Sequence, residues 1–217
     1  MKLSTAFFDL DGVLWNSEEA HYEAFQKVAT KYRENYLNLS HAMAETWTFG
    51  IETSQVFLNA FSWMGVDISD NELLNLIAEK REAAKTIFES KDMINRDSID
   101  LLKKFKRIGF QLGLVSGSSK QNVEMFLHKS KTANMFEIVL NSSDFDENKP
   151  APDAYLLAMK ALNVKAAECL VVEDSQSGLT SARKAGIKEI FEYPLDSASS
   201  TRLTAILKKY SYTDDHE

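Results

Sequence analysis

A short apolar segment that carries two aspartates, residues 3–14 (LSTAFFDLDGVL), constrains the fold of this 217-residue chain more than any other stretch. An apolar run that stops at a turn residue such as Gly12 is typical of a buried strand. A buried strand cannot hold two uncompensated carboxylates, because an unpaired buried charge is very costly. We therefore expect Asp9 and Asp11 at the carboxyl end of the strand, where open α/β sheets bind ligands. The alternative is a polar strand end whose aspartates only cap turns.

The charge of the chain limits the partners that it can bind. It contains 25 Lys and Arg against 32 Asp and Glu, which gives a formal net charge of −7 at pH 7. The sequence has no basic block, so we expect no nucleic-acid partner. A phosphorylated substrate would need local cations, since the overall field repels anions.

The N-terminal segment and the cysteine content bear on the compartment. The segment MKLSTAFFD has no long apolar stretch, so we expect it to be neither a signal peptide nor a membrane span. Cys169 is the single cysteine, so the chain cannot form an intrachain disulfide. This is compatible with a reducing compartment. We expect a cytoplasmic protein without membrane partners.

The hydrophobic pattern changes along the chain and divides it into two parts. Residues 16–90 read as almost all helix, whereas strands alternate with helices after about Asp92. This alternation predicts a parallel sheet joined by right-handed crossovers. We predict an α/β fold, with a doubly wound parallel sheet in a core domain of residues 1–15 and 91–217. An α-helical cap domain of residues 16–90 is inserted after the first strand.

Within the helical part, several local features are predicted. A helix over 53–64 should stop at Gly65, and Ser69 with Glu72 should form a capping box. In the helix that follows, Leu74 is expected on the apolar side and Lys80 on the solvated side. Aromatic candidates to shape a substrate pocket are Tyr22, Phe25, Trp47, Phe49 and Phe57. At the other end of the chain, outside the helical part, the polar tail 211–217 is expected to fray.

Four predicted strands each lead into polar residues, and in a parallel sheet these strand ends share one edge. In chain order the polar residues are Asp9 and Asp11, Ser116, Lys149, and Glu173 with Asp174. Two like charges about 4 Å apart cost roughly 4 kcal/mol at an effective dielectric of about 20, so protons or a cation must balance the carboxylates. Oxygen ligands without His or Cys favour a hard ion such as Mg²⁺, and Asp9 and Asp174 suit that role.

The same residues can bind and transfer a phosphoryl group. Ser116 and the amides of Gly117 and Ser118, which precede a helix, can donate hydrogen bonds to phosphate oxygens. One carboxylate can act as the nucleophile through an aspartyl phosphate. A second, Asp11, can protonate the leaving oxygen and later take a proton from water.

Four motifs, in this order, resemble those of the haloacid dehalogenase (HAD) superfamily. FFDLDGVL resembles its nucleophile motif, VSGSS its Ser/Thr motif, NKPAPDAY with Lys149 its lysine motif, and VVEDSQSGL its acidic metal motif. Residues 16–90 resemble the helical cap of the branch that contains β-phosphoglucomutase and phosphatases. The resemblance implies a Rossmann-like HAD core.

The resemblance also implies a role for each site residue. It makes Asp9 the nucleophile and Asp11 the general acid and base, with Ser116 and Lys149 holding the phosphoryl group. It implies Mg²⁺ bound by the Asp9 side chain, the Asp11 main-chain carbonyl and Asp174, with Glu173 beside them.

The resemblance is compatible with two activities of this branch, that of a phosphatase and that of a phosphomutase. Aspartate at position 11 favours phosphoryl transfer to an oxygen over dehalogenation. Ser17 and His21 match hinge positions of β-phosphoglucomutase, which makes His21 a substrate-binding candidate, although an exposed helical role is the alternative. The mutase also has a cap arginine in a segment that is matched here by residues 50–53, which contain none.

We therefore predict a Mg²⁺-dependent phosphatase that hydrolyses a small phosphorylated metabolite, a phosphomonoester, through an aspartyl-phosphate intermediate. A β-phosphoglucomutase-like sugar phosphomutase is the alternative. A protein of this kind is expected to be a monomer or a weak dimer.

Overall fold

The computed structural model of the chain describes residues 2–48 and 50–211, which form two compact units. One unit is Ser17–Met93, and the other is made of the chain up to Asn16 and from Ile94 onward. Two predictions fall outside the described residues: that Phe49 helps to shape a pocket, and that the tail, from residue 212 onward, is frayed. Within the described ranges, no helix combines the length and the apolar character needed to cross a membrane.

The second unit contains a five-stranded sheet in which all neighbouring strands are parallel. The strands are β1 Thr5–Phe8, β2 Gln111–Val115, β3 Ile138–Leu140, β4 Cys169–Glu173 and β5 Glu189–Glu192. Their order is β3-β2-β1-β4-β5, so β1 is central and pairs with both β2 and β4. This arrangement confirms the predicted α/β fold with a doubly wound parallel sheet.

Among the described residues, five α-helices belong to the same unit as the sheet. They are α5 Arg96–Arg107, α6 Lys120–Ser130, α7 Asp153–Leu162, α8 Gln176–Lys184 and α9 Ser197–Ser211. Every residue of β1 is buried, as expected for a parallel strand that is covered on both faces. Phe7 of β1 packs in a cluster with Val115, Tyr155 and Val171, so one apolar core underlies the carboxyl ends of β1, β2 and β4.

The helical unit consists of α1 Glu18–Lys31, α2 Leu39–Thr46, α3 Thr53–Met64 and α4 Asp70–Ser90. Its core contains Phe25, Phe57 and Phe61, all buried. Helix α3 has the predicted bounds and ends at Gly65, whose φ of +66° is left-handed. The Ser69–Glu72 capping box of α4 is also confirmed. That this unit serves as a cap stays a prediction.

The buried face of α4 differs in part from the predicted one. Leu74 is 62% exposed, whereas Lys80 is only 5% exposed. Lys80 Nζ lies 2.8 Å from His21 Nδ1 and 4.8 Å from the centre of the Phe25 ring, so its ammonium has both a polar and an aromatic neighbour. The prediction of a solvated Lys80 was wrong because a long amphipathic side chain can lie on an apolar face when its head finds partners.

The tight packing between β1 and β2 leads to a stability prediction at Gly113, which pairs with Phe7. A Cβ added there would lie 2.6 Å from Phe7 Cδ1 and 2.9 Å from Ile138 Cγ2. We expect Gly113→Ala to lower the free energy of unfolding by about 1–3 kcal/mol, because it overpacks the core. Urea unfolding measures this. Gly117→Ala, where nothing lies within 4 Å of an added Cβ, is the control, and equal effects of both variants would contradict the packing argument.

Candidate active site

The first two strand ends bring Asp9 and Ser116 to the same edge of the sheet. Asp9 directly follows β1, and its amide donates to Val172 O of β4 at 3.0 Å. Ser116 directly follows β2, and its amide donates to Leu140 O of β3 at 3.0 Å. Both residues are buried, so contacts with the protein and not with solvent fix the positions of their polar side chains. The chain turns after Asp9 through Gly12, whose φ is +79°.

Lys149 lies in the loop between β3 and α7, and its ammonium joins three strands. Nζ donates to Asp9 Oδ1 at 2.5 Å, to Glu173 Oε1 at 2.5 Å and to Val115 O at 3.0 Å. An ammonium has three protons, so these bonds use its full donor capacity. The side chain is only 8% exposed, which makes this a buried ion cluster rather than a surface salt bridge.

Glu173, at the end of β4, is fully buried and accepts hydrogen bonds through both oxygens. Besides Lys149, Oε1 accepts from the Tyr155 hydroxyl at 3.3 Å, and Oε2 accepts from the amides of Asp174 and Ser175 at 3.0 and 3.2 Å. Donors thus reach both oxygens of this buried carboxyl group, as buried polar groups require. Glu173 is thereby set to hold the Lys149 ammonium beside Asp9.

Two residues that support Glu173 were not predicted from the sequence. Tyr155 reaches Glu173 from α7, and burial raises the pKa of its phenol well above its ordinary value. Gly178 of α8 lies so close that a Cβ there would be 1.7 Å from Glu173 Oε1. A glycine inside a helix is a signal of such close packing. The position of Tyr155 in the sequence gives no comparable signal of its contact with Glu173.

Asp9, Glu173 and Asp174 form an acidic cluster that could hold a metal ion. Each offers a carboxylate oxygen, and these oxygens lie within 4.8 Å of one another. An oxygen-only donor set fits a hard divalent cation such as Mg²⁺. Burial, followed by the charge of Glu173, raises the pKa of Asp174 to about 7, so the cluster is short of positive charge without a cation.

The pKa values of Asp9 and Lys149 also indicate a shortage of positive charge in this cluster. Burial raises the pKa of Asp9 well above its ordinary value of 3.8, and Lys149 offsets this rise only in part. Burial alone would lower the pKa of Lys149, but the charges of Asp9 and Glu173 outweigh it and hold that pKa well above 10.5. The lysine therefore stays charged, and one ammonium does not balance the carboxylates around it.

The loop after β2 brings Asp11 into the same group of residues. The Ser118 hydroxyl donates to Asp11 Oδ2, and the Ser118 amide donates to Ser116 Oγ at 2.9 Å. A hydroxyl that accepts such a bond can still donate its own proton to a ligand. Nothing lies within 4 Å of a Cβ added at Gly117, between these serines.

The structure thus brings together eight residues of the predicted site, and the ninth belongs to the other unit. The eight are Asp9, Asp11, Ser116, Gly117, Ser118, Lys149, Glu173 and Asp174. His21 lies in the helical unit, where its ring packs edge-on against Phe88 at 4.9 Å and its Nδ1 meets Lys80. A role for His21 in substrate binding stays a prediction.

Comparison with known proteins identifies the family. A family model described as haloacid dehalogenase-like hydrolase matches residues 6–191. The chain belongs to the haloacid dehalogenase-like hydrolase family. This confirms the family predicted from the four motifs, and the matched range includes every residue of the acidic cluster.

The hydrolase is similar to proteins of several organisms over most of its length. It is 28% identical to protein CbbY of Rhodobacter capsulatus over 204 residues, which cover 88% of this chain and 85% of CbbY. It is 28% identical to the phosphorylated carbohydrates phosphatase of Thermotoga maritima over 195 residues, which cover 87% and 84% of the two chains.

A solved structure shares the fold of the hydrolase. The β-phosphoglucomutase of Clostridium difficile superposes with a TM-score of 0.73 at 21% identity, covering 97% of this chain and 98% of the mutase. At this identity the likeness supports the fold and leaves the reaction open.

The pKa of Asp174 leads to a prediction on stability. Because this pKa is about 7 in the folded hydrolase and 3.8 is its ordinary value, the folded state binds the extra proton between these two pH values. The stabilising effect of that proton is complete below about pH 4 and is lost as the pH rises through about 7. Without metal, we expect the wild type to lose about 1–4 kcal/mol more than Asp174→Asn between pH 4 and pH 8.

Urea unfolding in the presence of a chelator measures this difference. Asp67→Asn, at an exposed position, is the matched control and should follow the wild type. Identical pH profiles for the wild type and Asp174→Asn would contradict the charge imbalance. Added Mg²⁺ should restore the stability of the wild type at pH 8 more than that of Asp174→Asn.

Proposed function

We propose that this hydrolase is a Mg²⁺-dependent phosphatase that hydrolyses small phosphomonoesters through a phosphorylated Asp9. The observation that carries the proposal is the Lys149 ammonium, which donates to Asp9 Oδ1 and Glu173 Oε1 beside Asp174. A buried carboxylate held against an ammonium and an acidic cluster has the parts that phosphoryl transfer needs, namely a nucleophile and positive charge for the phosphate oxygens.

The metal would be held by the acidic cluster. Asp9 and Asp174 would supply side-chain oxygens, together with the Asp11 main-chain carbonyl that the family resemblance implies, and Glu173 would lie beside them. Bound there, Mg²⁺ would neutralise phosphate charge next to the nucleophile. The raised pKa of Asp174 supports this role, because a cation is what the cluster lacks.

The residues of this chain would then act in two steps. An Asp9 oxygen attacks phosphorus as the bond to the substrate oxygen breaks, and Asp11 gives its proton to that leaving oxygen. Water next attacks the phosphorus of the aspartyl phosphate, Asp11 takes a proton from this water, and the bond to Asp9 breaks. Ser116 holds a phosphoryl oxygen, and the Lys149 ammonium beside Asp9 offsets the phosphoryl charge as it shifts between the attacking and leaving atoms.

Relatives support the substrate class. The Thermotoga maritima relative is named for phosphorylated carbohydrates, and it aligns with most of this chain. A small phosphorylated sugar or sugar alcohol is therefore the first class to test. The net charge of −7 makes the local cations, Lys149 and the metal, the attraction for such an anion.

The experiment is a phosphate-release assay with p-nitrophenyl phosphate and a panel of sugar phosphates, with Mg²⁺ or with a chelator. We expect release only with Mg²⁺, its loss in Asp9→Asn, and a fall of about 100-fold or more in Lys149→Met, since one oriented charge at a phosphoryl site contributes on this scale. Lys103→Met, which removes an exposed lysine paired with Asp100, is the matched control and should keep full activity.

Two outcomes would contradict the proposal. Equal release by wild type and Asp9→Asn would exclude Asp9 as the nucleophile. Interconversion of sugar phosphates without net phosphate release would instead favour the phosphomutase.

A further inference from the structure

We propose that Ser118 is a positioning residue that holds the Asp11 carboxyl group in place for proton transfer to and from the reacting oxygens. This inference rests on the proposed function, in which Asp11 is the general acid and base. It assigns Ser118 a different task from the phosphate contact that the sequence predicts.

The hydrogen bonds of Ser118 carry the inference. Serine has two donors, the amide and the hydroxyl. The amide donates to Ser116 Oγ at 2.9 Å, and the hydroxyl donates to Asp11 Oδ2. Both donors of Ser118 are therefore directed at residues of the site.

The backbone around Ser118 fixes the place of its hydroxyl. Its carbonyl accepts from the Ser142 amide at 2.9 Å, and the neighbouring Ser116 amide donates to Leu140 O at 3.0 Å. Both partners belong to β3 or to the segment that follows it. The hydroxyl is thus presented to Asp11, which lies beyond β1, from a loop that is tied to the sheet.

Holding Asp11 in place matters for the chemistry. A general acid must lie within hydrogen-bond reach of the atom that it protonates. Ser118 holds the carboxyl group by Oδ2 and so restricts its rotation. In the first step a proton moves from Asp11 to the leaving oxygen as the phosphorus–oxygen bond breaks, and in the second step Asp11 takes one proton from the attacking water.

The test compares Ser118→Ala with the wild type on substrates whose leaving groups differ in basicity. Nitrophenolate leaves without protonation, whereas a sugar alkoxide needs the acid. We expect Ser118→Ala to lower kcat/KM about 10–100-fold for the best sugar phosphate and less than about fivefold for p-nitrophenyl phosphate, with KM changed less than about threefold. Ser118→Thr keeps the hydroxyl and should restore most of the sugar phosphate activity.

Ser119→Ala is the matched control. Its hydroxyl accepts from the Asn122 amide at 3.4 Å and caps α6, so its removal should affect stability and leave the ratio between the two substrates unchanged. An equal loss on both substrates in Ser118→Ala, or a loss confined to KM, would overturn the positioning role and favour phosphate binding. Failure of Ser118→Thr to restore activity would also count against it.

A second readout does not depend on turnover. The carboxyl ¹³C resonance of Asp11, assigned with Asp11→Asn, should shift between the wild type and Ser118→Ala because a hydrogen bond is lost. An unchanged resonance overturns the inference. If the wild type hydrolyses none of the substrates, the proposed function fails, and this resonance still decides whether Ser118 holds Asp11.

Discussion

The rest of the site depends on the buried ammonium of Lys149. Taking an ammonium and carboxylates out of water is costly, and the cost is offset only when every charge is closely paired and hydrogen-bonded. The three acceptors of Lys149 are Asp9, Val115 and Glu173, which lie on or just beyond β1, β2 and β4. One side chain thus joins the loop after β3 to three neighbouring strands, so the fold and the site depend on the same contacts.

The charge around this ammonium connects structure to function. Asp9, Glu173 and Asp174 gather their oxygens within 4.8 Å, and burial raises the pKa of both aspartates. With only the Lys149 ammonium to balance the carboxylates this arrangement is unfavourable, because like charges repel strongly away from water. The same imbalance favours a divalent cation and a phosphate bound together, since each then neutralises part of the other. We regard this cost as the physical origin of the proposed Mg²⁺ dependence.

Much of the fold and the site could be predicted because the signals are local. The alternation of strands and helices, the glycine that ends α3 and polar residues at strand ends are all visible in short windows of sequence. Helix α2 and the buried face of α4 were not predicted, since Lys80 is buried by its contacts with α1. Tyr155 and Gly178 support Glu173 from two separate helices. The glycine inside α8 signals close packing, but which side chain packs there, and the contact of Tyr155, depend on how the helices pack on the sheet, which no local pattern records.

The central claim is that Asp9, held by Lys149, becomes phosphorylated. The most direct measurement is reduction of the enzyme with borohydride during turnover of a phosphomonoester with Mg²⁺, followed by peptide mass spectrometry. Borohydride converts an aspartyl phosphate to homoserine, so homoserine at position 9, and its absence when the substrate is omitted, is the predicted result. Continued turnover with an unmodified Asp9, or homoserine at another aspartate, would contradict the account.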